Sequence, residues 1–416
     1  MNDTLNYLYG LRNRGSSYGI DRIRRLLPML GNPHRRFPII HVAGTNGKGS
    51  VCAMLDSIYR ENGYKVGLFS SPHLVELGER IRVNGKVLPL HGIEEYVRFI
   101  KPIADEMEAE KVGLGPTFFE MMTAMAFLVF AERKVDLAIL ETGLGGRLDS
   151  TNVVQPILSI ITTIALDHCS ILGHSIEEIA REKAGIIKRG IPVLTGWLPD
   201  AANQVIREDA DSKSSSLESM EDHQAIEFPQ TNLVGDHQKR NAALAYRAVL
   251  KIAKAFPVER EKVRKALGKV SLEGRWQLIE GNPSMILDAC HNQEGAIALQ
   301  ENLRNLRESV VVWLGASGEE RALEVIKAVT PYAQEIRLFE IEQPRACSVS
   351  VLKKLIPENF LGRVTVGSCA NFDRQLKEVD ESSTLLITGS IYLVGDFLSH
   401  LRKHSMPLGS DFQDVL

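Results

Sequence analysis

Residues 44–50, Gly44-Thr45-Asn46-Gly47-Lys48-Gly49-Ser50, bring glycines, a lysine and a serine together in one short stretch. Such a loop can turn several backbone N–H groups toward an anion, and the lysine can reach the outer phosphates of a nucleotide. Ser50 is of the type that accompanies the magnesium of such phosphates. The strict phosphate-loop pattern has Ser or Thr directly after the lysine, whereas here Gly49 intervenes. The flanks position the loop. Phe37, Ile39, Ile40 and Val42 form an apolar run that reads as a buried strand. Val51, Met54, Leu55 and Ile58 recur at i, i+3, i+4 and i+7, which is one face of a helix, and Gly63 is a suitable stop. Strand, glycine-rich loop and helix aim a helix N-terminus at a phosphate chain.

Four other residues have types that could join this chemistry. Val135–Leu140 is a nearly continuous apolar run of the parallel-strand kind, and it ends in Glu141. A carboxylate there lies where open parallel sheets bind ligands, and burial would require a partner or a metal. Lys65–Phe69 reads as a strand running into Ser70-Ser71-Pro72-His73, where Ser71 is by itself a turn residue. Ile157–Ile164 reads as a strand ending in Leu166-Asp167-His168. Ser175 and Glu178 form an S-x-x-E capping box opening a helix that carries Lys183 and stops at Gly190. Taken alone, His168 is a polar residue after a strand and Lys183 a solvated helix lysine. Glu79, Arg80 and Arg82 read as a solvated face, although their charges could touch an acidic substrate. Residues 208–222 are polar and partly low in complexity, and read as a surface loop or edge excursion.

The string GTNGKGS, preceded by LGNPH and HVA, resembles the folylpolyglutamate synthase/dihydrofolate synthase family of Mur-type ATP-dependent amide ligases. The extra glycine before Ser50 sets it apart from the peptidoglycan-building Mur enzymes. ETGLGGRLDSTN (141–152) and TGSIYLVG (388–395) resemble further signatures of the same family, and the likeness spans about residues 14 to 400, with Tyr18 and Gly19 in its lead-in. The resemblance implies ATP bound by Gly44–Ser50, with Asn241 near the adenine and Arg275, Asp288 and His291 as nucleotide contacts. It implies Ser71, Glu141, His168 and a carbamylated Lys183 as ligands of two Mg²⁺ ions, with Lys48, His168 and Lys183 catalytic. It implies that Thr117-Phe118-Phe119-Glu120 lies near a folate site, although Phe118 and Phe119 also read as core. The implied reaction joins L-glutamate to a reduced folate or dihydropteroate carboxylate through an acyl phosphate.

The implied fold is α/β. Residues 1–275 form a P-loop mononucleotide-binding domain with a mostly parallel sheet, and residues 276–416 form a smaller Rossmann-like domain. The strand–helix alternation after residue 284 supports the second, and the absence of a GxGxxG string there argues against a dinucleotide. In this domain DACHNQ replaces the family's D-G-A-H-N-P, retaining Asp288 and His291. Ser317-Gly318-Glu319-Glu320 stands where an Asp-Lys pair is usual, and Glu273-Gly274 where Pro-Gly is usual. A length of 416 residues accommodates two or three domains, and a net charge of −3 gives no electrostatic reason to expect nucleic acid or an anionic membrane. The sequence has no apolar run of membrane-spanning length and no signal-peptide core at its start, so the expected setting is cytoplasmic and the expected state monomeric. The five cysteines fit no metal or CxxC spacing, which suits free thiols in a reducing compartment. Another Mur-type ligase, a P-loop ATPase, or a folate-binding homologue without ligase activity are the alternatives.

Overall fold

The computed structural model describes residues 3–11, 19–223 and 228–402. Tyr18, part of the lead-in, lies outside them. The chain separates into two compact units. One comprises the chain up to Asn232 with His237–Val270, and the other Leu233–Asp236 with the chain from Ser271 onward.

The strands of the first unit are β1 (Ile39–Ala43), β2 (Val66–Phe69), β3 (Ile81–Val83), β4 (Lys86–Val87), β5 (Leu137–Glu141), β6 (Leu158–Ile161), β7 (Val193–Thr195) and β8 (Leu217–Ser219). They form one sheet in the order β4-β3-β2-β5-β1-β6-β7-β8. The pairs from β2 to β8 are parallel, and only β3 and β4 run antiparallel to their neighbours. Strands β1, β2, β5 and β6 are buried along their whole length. This explains why they read as continuous apolar runs rather than alternating ones. β1 sits between β5 and β6, so the chain changes direction across it, and the loop after β1 leaves the sheet at a topological switch point. That is where open α/β sheets bind ligands.

The helix Phe118–Glu132 is nearly all apolar because it packs into the core formed with helices Asp21–Met29 and Leu90–Glu110. A capping box between Thr117 and Glu120 starts it. On the same face of the sheet, beyond β1, helices Ile176–Ala184 and Asp200–Ser212 pack over β6 and β7 through Ile179, Ala180, Ala202 and Ile206.

The second unit adds β9 (Gln277–Ile279), β10 (Ser284–Asp288), β11 (Val310–Leu314), β12 (Ala333–Leu338), β13 (Arg363–Val366) and β14 (Thr384–Thr388). Their order is β13-β12-β11-β14-β10-β9, parallel except for β9 against β10. Both units are therefore α/β with mostly parallel sheets.

One sequence expectation is narrowed and another corrected. Residues 208–222 follow the edge alternative and not the loop: helix Asp200–Ser212 runs into them, and Leu217–Ser219 pairs with β7 as the edge strand β8. Their polarity reflects an edge strand whose Glu218 carries ion pairs to Arg247 and Lys251. Glu79 and Arg80 do not form a solvated face, since both are buried. The Glu79 carboxylate accepts backbone N–H groups from Leu74 (2.9 Å), Val75 (3.0 Å) and Glu76 (2.7 Å). Arg80 donates through Nε to His73 Nδ1 at 2.8 Å and lies over the Phe118 ring. Paired in this way, the two charges tolerate burial.

Candidate active site

The phosphate-type loop is held from beneath by the end of β6. Thr45 N–H donates to Thr163 O at 2.8 Å, and Asn46 N–H to Thr163 Oγ1 at 3.0 Å. Thr162 Oγ1 donates back to Asn46 O at 2.6 Å. Two successive threonines after an apolar strand thus fix the loop, a role the sequence reading missed; the adjacent hydroxyls at a strand's carboxyl end were the available signal. The helix Lys48–Glu61 begins at Gly47, with φ at 81° and no side-chain cap. Its first N–H groups therefore keep the free donor capacity of a helix start. A Cβ at Gly47 would lie 2.6 Å from Asn241 Oδ1, so the carboxamide of Asn241 rests on the loop backbone. Asn241 is steadied by Gln238, whose Oε1 accepts its Nδ2–H at 3.2 Å. Ser50 is buried in the helix's first turn.

Two lysines converge on one carbonyl. Lys48 Nζ donates to Gly44 O and Thr45 O, each at 3.0 Å, and Lys183 Nζ donates to Gly44 O at 2.8 Å. Lys183 is only 3% exposed, contrary to what a helix lysine alone would suggest. Its helix is anchored by the expected Ser175–Glu178 box.

At the end of β5, Glu141 is 4% exposed, and its Oε2 accepts the backbone N–H of Ser71 at 3.2 Å. A Cβ at Gly49 would lie 3.7 Å from both Glu141 oxygens. The glycine that interrupts the strict pattern therefore faces a carboxylate. Glu141 and Ser71 at adjacent strand ends supply the oxygen donors that a Mg²⁺ ion accepts, and a metal that keeps most of its waters needs few more. His168 occupies a left-handed conformation at φ 51°. Its backbone N–H donates to Asp167 Oδ1 at 2.8 Å, and its Nε2 lies 3.9 Å from the same oxygen. No three His, Cys, Asp or Glu side chains form a metal-type cluster among the described residues. The fit to a cation thus rests on Glu141 and Ser71; Lys183 as an amine is a donor and would become a ligand only if modified.

Beneath the loop, His41 of β1 is fully buried. Its Nε2–H donates to Thr151 Oγ1 at 2.8 Å, and Thr151 in turn donates to Asp149. Burial, and then the charge of Lys188, pull His41 down to about 3, so it stays neutral as a donor. Asp149 also accepts Leu144 N–H at 2.9 Å. This chain fixes the 142–152 loop to β1. Gly143 in that loop touches Phe119: an added Cβ would sit 2.5 Å from its ring. Phe119 is half-buried, whereas Phe118 belongs to the core.

Arg275, Asp288 and His291 lie together in the second unit, at the carboxyl end of β10. Asp288 accepts Trp276 N–H and Cys290 N–H, each at 2.9 Å. Arg275 Nη1 donates to Ala289 O at 3.4 Å, and His291 Nδ1 lies 2.9 Å from the same oxygen. Burial lifts Asp288 to about 6, against the opposing pull of Arg275.

The chain is similar to known proteins over nearly its whole length. The dihydrofolate synthase/folylpolyglutamate synthase of Bacillus subtilis is 36% identical over 430 aligned residues, covering 96% of this chain and 99% of that one. The crystal structure of Thermotoga maritima folylpolyglutamate synthase is 32% identical with a TM-score of 0.84 and covers 97% of each chain. Escherichia coli FolC, solved in complex with DHPP and ADP, is 30% identical with a TM-score of 0.83, covering 96% of this chain and 98% of that one. No known family model matches the chain. Near-complete alignment at this identity, on a fold whose phosphate-type loop is intact, shows that the chain belongs to the dihydrofolate synthase/folylpolyglutamate synthase family of ATP-dependent ligases.

Proposed function

We propose that this chain joins L-glutamate to the carboxylate of dihydropteroate or a reduced folate, using ATP to make an acyl phosphate first. The observation that carries the reading is the meeting of three groups at one end of the sheet. These are a glycine-rich loop with Lys48, a buried Glu141 bound to Ser71, and a buried Lys183 on the loop carbonyl.

The chemistry follows from charge. A carboxylate resists attack because oxide is a poor leaving group, whereas phosphate leaves readily. The substrate carboxylate oxygen attacks the γ-phosphorus and ADP departs. The glutamate amine then attacks the acyl carbon and loses a proton as the carbon–nitrogen bond forms, the carbon–oxygen bond breaks, and phosphate leaves with its electron pair. Phosphoryl transfer of this kind depends mostly on positioning and on neutralising negative charge. Lys48, released from its own loop carbonyls, would pair with the outer phosphates. The N–H groups that open helix Lys48–Glu61 would face the phosphate chain. Asn241, resting on Gly47, would meet the base end. In the second unit, Arg275, Asp288 and His291 are the residues that the family resemblance gives as nucleotide contacts. Glu141 and Ser71 would hold Mg²⁺, and His168 with carbamylated Lys183 would complete a second ion; bound there, the ions neutralise phosphate charge. Phe119, held against Gly143 one residue beyond Thr142, marks the side on which a pterin would lie.

The same reading assigns ATP binding to residues 1–275 and a C-terminal domain to 276–416. It takes the protein to be a cytoplasmic monomer; the five free cysteines suit a reducing compartment. Phosphate release from ATP, Mg²⁺ and L-glutamate tests the reading. It should require a pterin carboxylate; release that ignores pterins but responds to a peptidoglycan precursor, or to neither, would overturn it.

A further inference from the structure

Trp197 follows the end of β7 and has no role in the reaction described above. The chain has three tryptophans, and Trp276 and Trp313 are buried whereas Trp197 is half-buried. The Arg240 guanidinium lies over the Trp197 ring at 5.6 Å, and Phe228 stacks on that ring at 6.0 Å with 15° between the planes. Arg240 immediately precedes Asn241, whose carboxamide rests on Gly47 of the phosphate-type loop. Gly196, just before Trp197, is pressed against the loop's own brace: a Cβ there would lie 2.1 Å from Thr162 O and 3.5 Å from Leu244. Thr162, with Thr163, holds Asn46. The phosphate-type loop, the ends of β6 and β7 and the first turns of helix Asp236–Lys251 are thus one contiguous surface, and Trp197 stands at its outer edge.

A carboxamide beside a phosphate loop has one donor and one acceptor edge to offer a base or ribose. Its value depends on how firmly the turn that carries it is held. Arg240 is exposed, and its described ring contact is with Trp197. We infer that Trp197 is a positioning residue for the base end of the nucleotide site: by holding Arg240 it fixes the helical turn that presents Asn241. It thereby sets the affinity for ATP and the preference for adenine over guanine. The inference rests on the nucleotide reading proposed above.

The test uses the full chain, with ATP, GTP and ADP as probes. A cation held over an exposed ring is worth a factor of about two to five. Trp197→Ala should raise KM for ATP by about that factor with kcat nearly unchanged, and should weaken ADP binding in calorimetry equally. It should also narrow the ATP-over-GTP preference, whereas Trp197→Phe should restore most of each effect. Arg240→Ala should behave like Trp197→Ala, and the double variant should be no worse than either. An unaltered KM and ADP affinity in Trp197→Ala would overturn the inference, as would a fall in kcat alone or additive effects of the two substitutions. If the wild type itself failed to bind ADP, the nucleotide reading would fail first, which calorimetry separates from a failure confined to Trp197.

Discussion

Replacing Gly47 by alanine separates backbone strain from nucleotide recognition. Gly47 has φ at 81°, and a Cβ there would lie 2.6 Å from Asn241 Oδ1. Two costs follow. Left-handed backbone costs an ordinary residue about 1–2 kcal/mol, a loss of folding stability that does not depend on ligand. The clash requires the Asn241 carboxamide to move, which breaks its bond to Gln238 and misplaces it for nucleotide. Losing one or two hydrogen bonds of this kind weakens binding by about 1–2 kcal/mol, or roughly 5- to 30-fold. Gly63→Ala is the control. Gly63 ends the same helix with φ at 89°, and nothing lies within 4 Å of its Cβ position. Both variants should melt lower by about 2–8 °C, from the strain alone. Only Gly47→Ala should lose affinity for ADP in calorimetry. Equal ADP affinity in Gly47→Ala and the wild type, or an equal loss in Gly63→Ala, would refute the placement of Asn241 on the nucleotide.

Further outcomes are expected. Glu141→Gln retains an oxygen for the Ser71 N–H but removes the buried charge, so turnover should fall on the order of 100-fold and the Mg²⁺ requirement should rise; unchanged Mg²⁺ dependence would exclude Glu141 as a ligand. Lys183→Ala should lose activity, and bicarbonate should stimulate the wild type alone; full activity in the variant with no bicarbonate effect would remove carbamylation from the account. Asp288 has a folded pKa of about 6, raised by burial above its ordinary 3.8. The folded state therefore holds the proton longer, and this group's stabilising contribution is present below about pH 4 and lost as pH rises through 6. The melting temperature of Asp288→Asn, measured against wild type, should gain by pH 7 over its value at pH 4; a difference independent of pH would contradict the assignment.

Much of this architecture was legible because β1, β2, β5 and β6 are buried along their length and so read as apolar runs. The helix after Lys48 was legible from its spacing, and the helix of Lys183 from its Ser175–Glu178 box. β9 was not, because its three residues Gln277–Ile279 lie at an edge and carry no period. β8 was hidden for a similar reason, since an edge strand rich in ion pairs resembles a loop. Burial of single charged groups was the least readable feature. Lys183 and Arg80 differ from solvated neighbours only in what the fold brings to them, a loop carbonyl for one and His73 with Phe118 for the other. The Thr162–Thr163 brace, the His41–Thr151–Asp149 chain and the Trp197–Arg240 pair likewise join residues far apart in sequence, where no local spacing could reveal them.

The most direct test of ligase function is the mass of the pterin product after incubation with ATP, Mg²⁺ and L-glutamate. Dihydropteroate gaining one glutamate, tetrahydrofolate gaining one or more, or both, is the expected result, and the pattern assigns first addition, chain extension or both. Phosphate release with no glutamate added to either pterin would contradict the account.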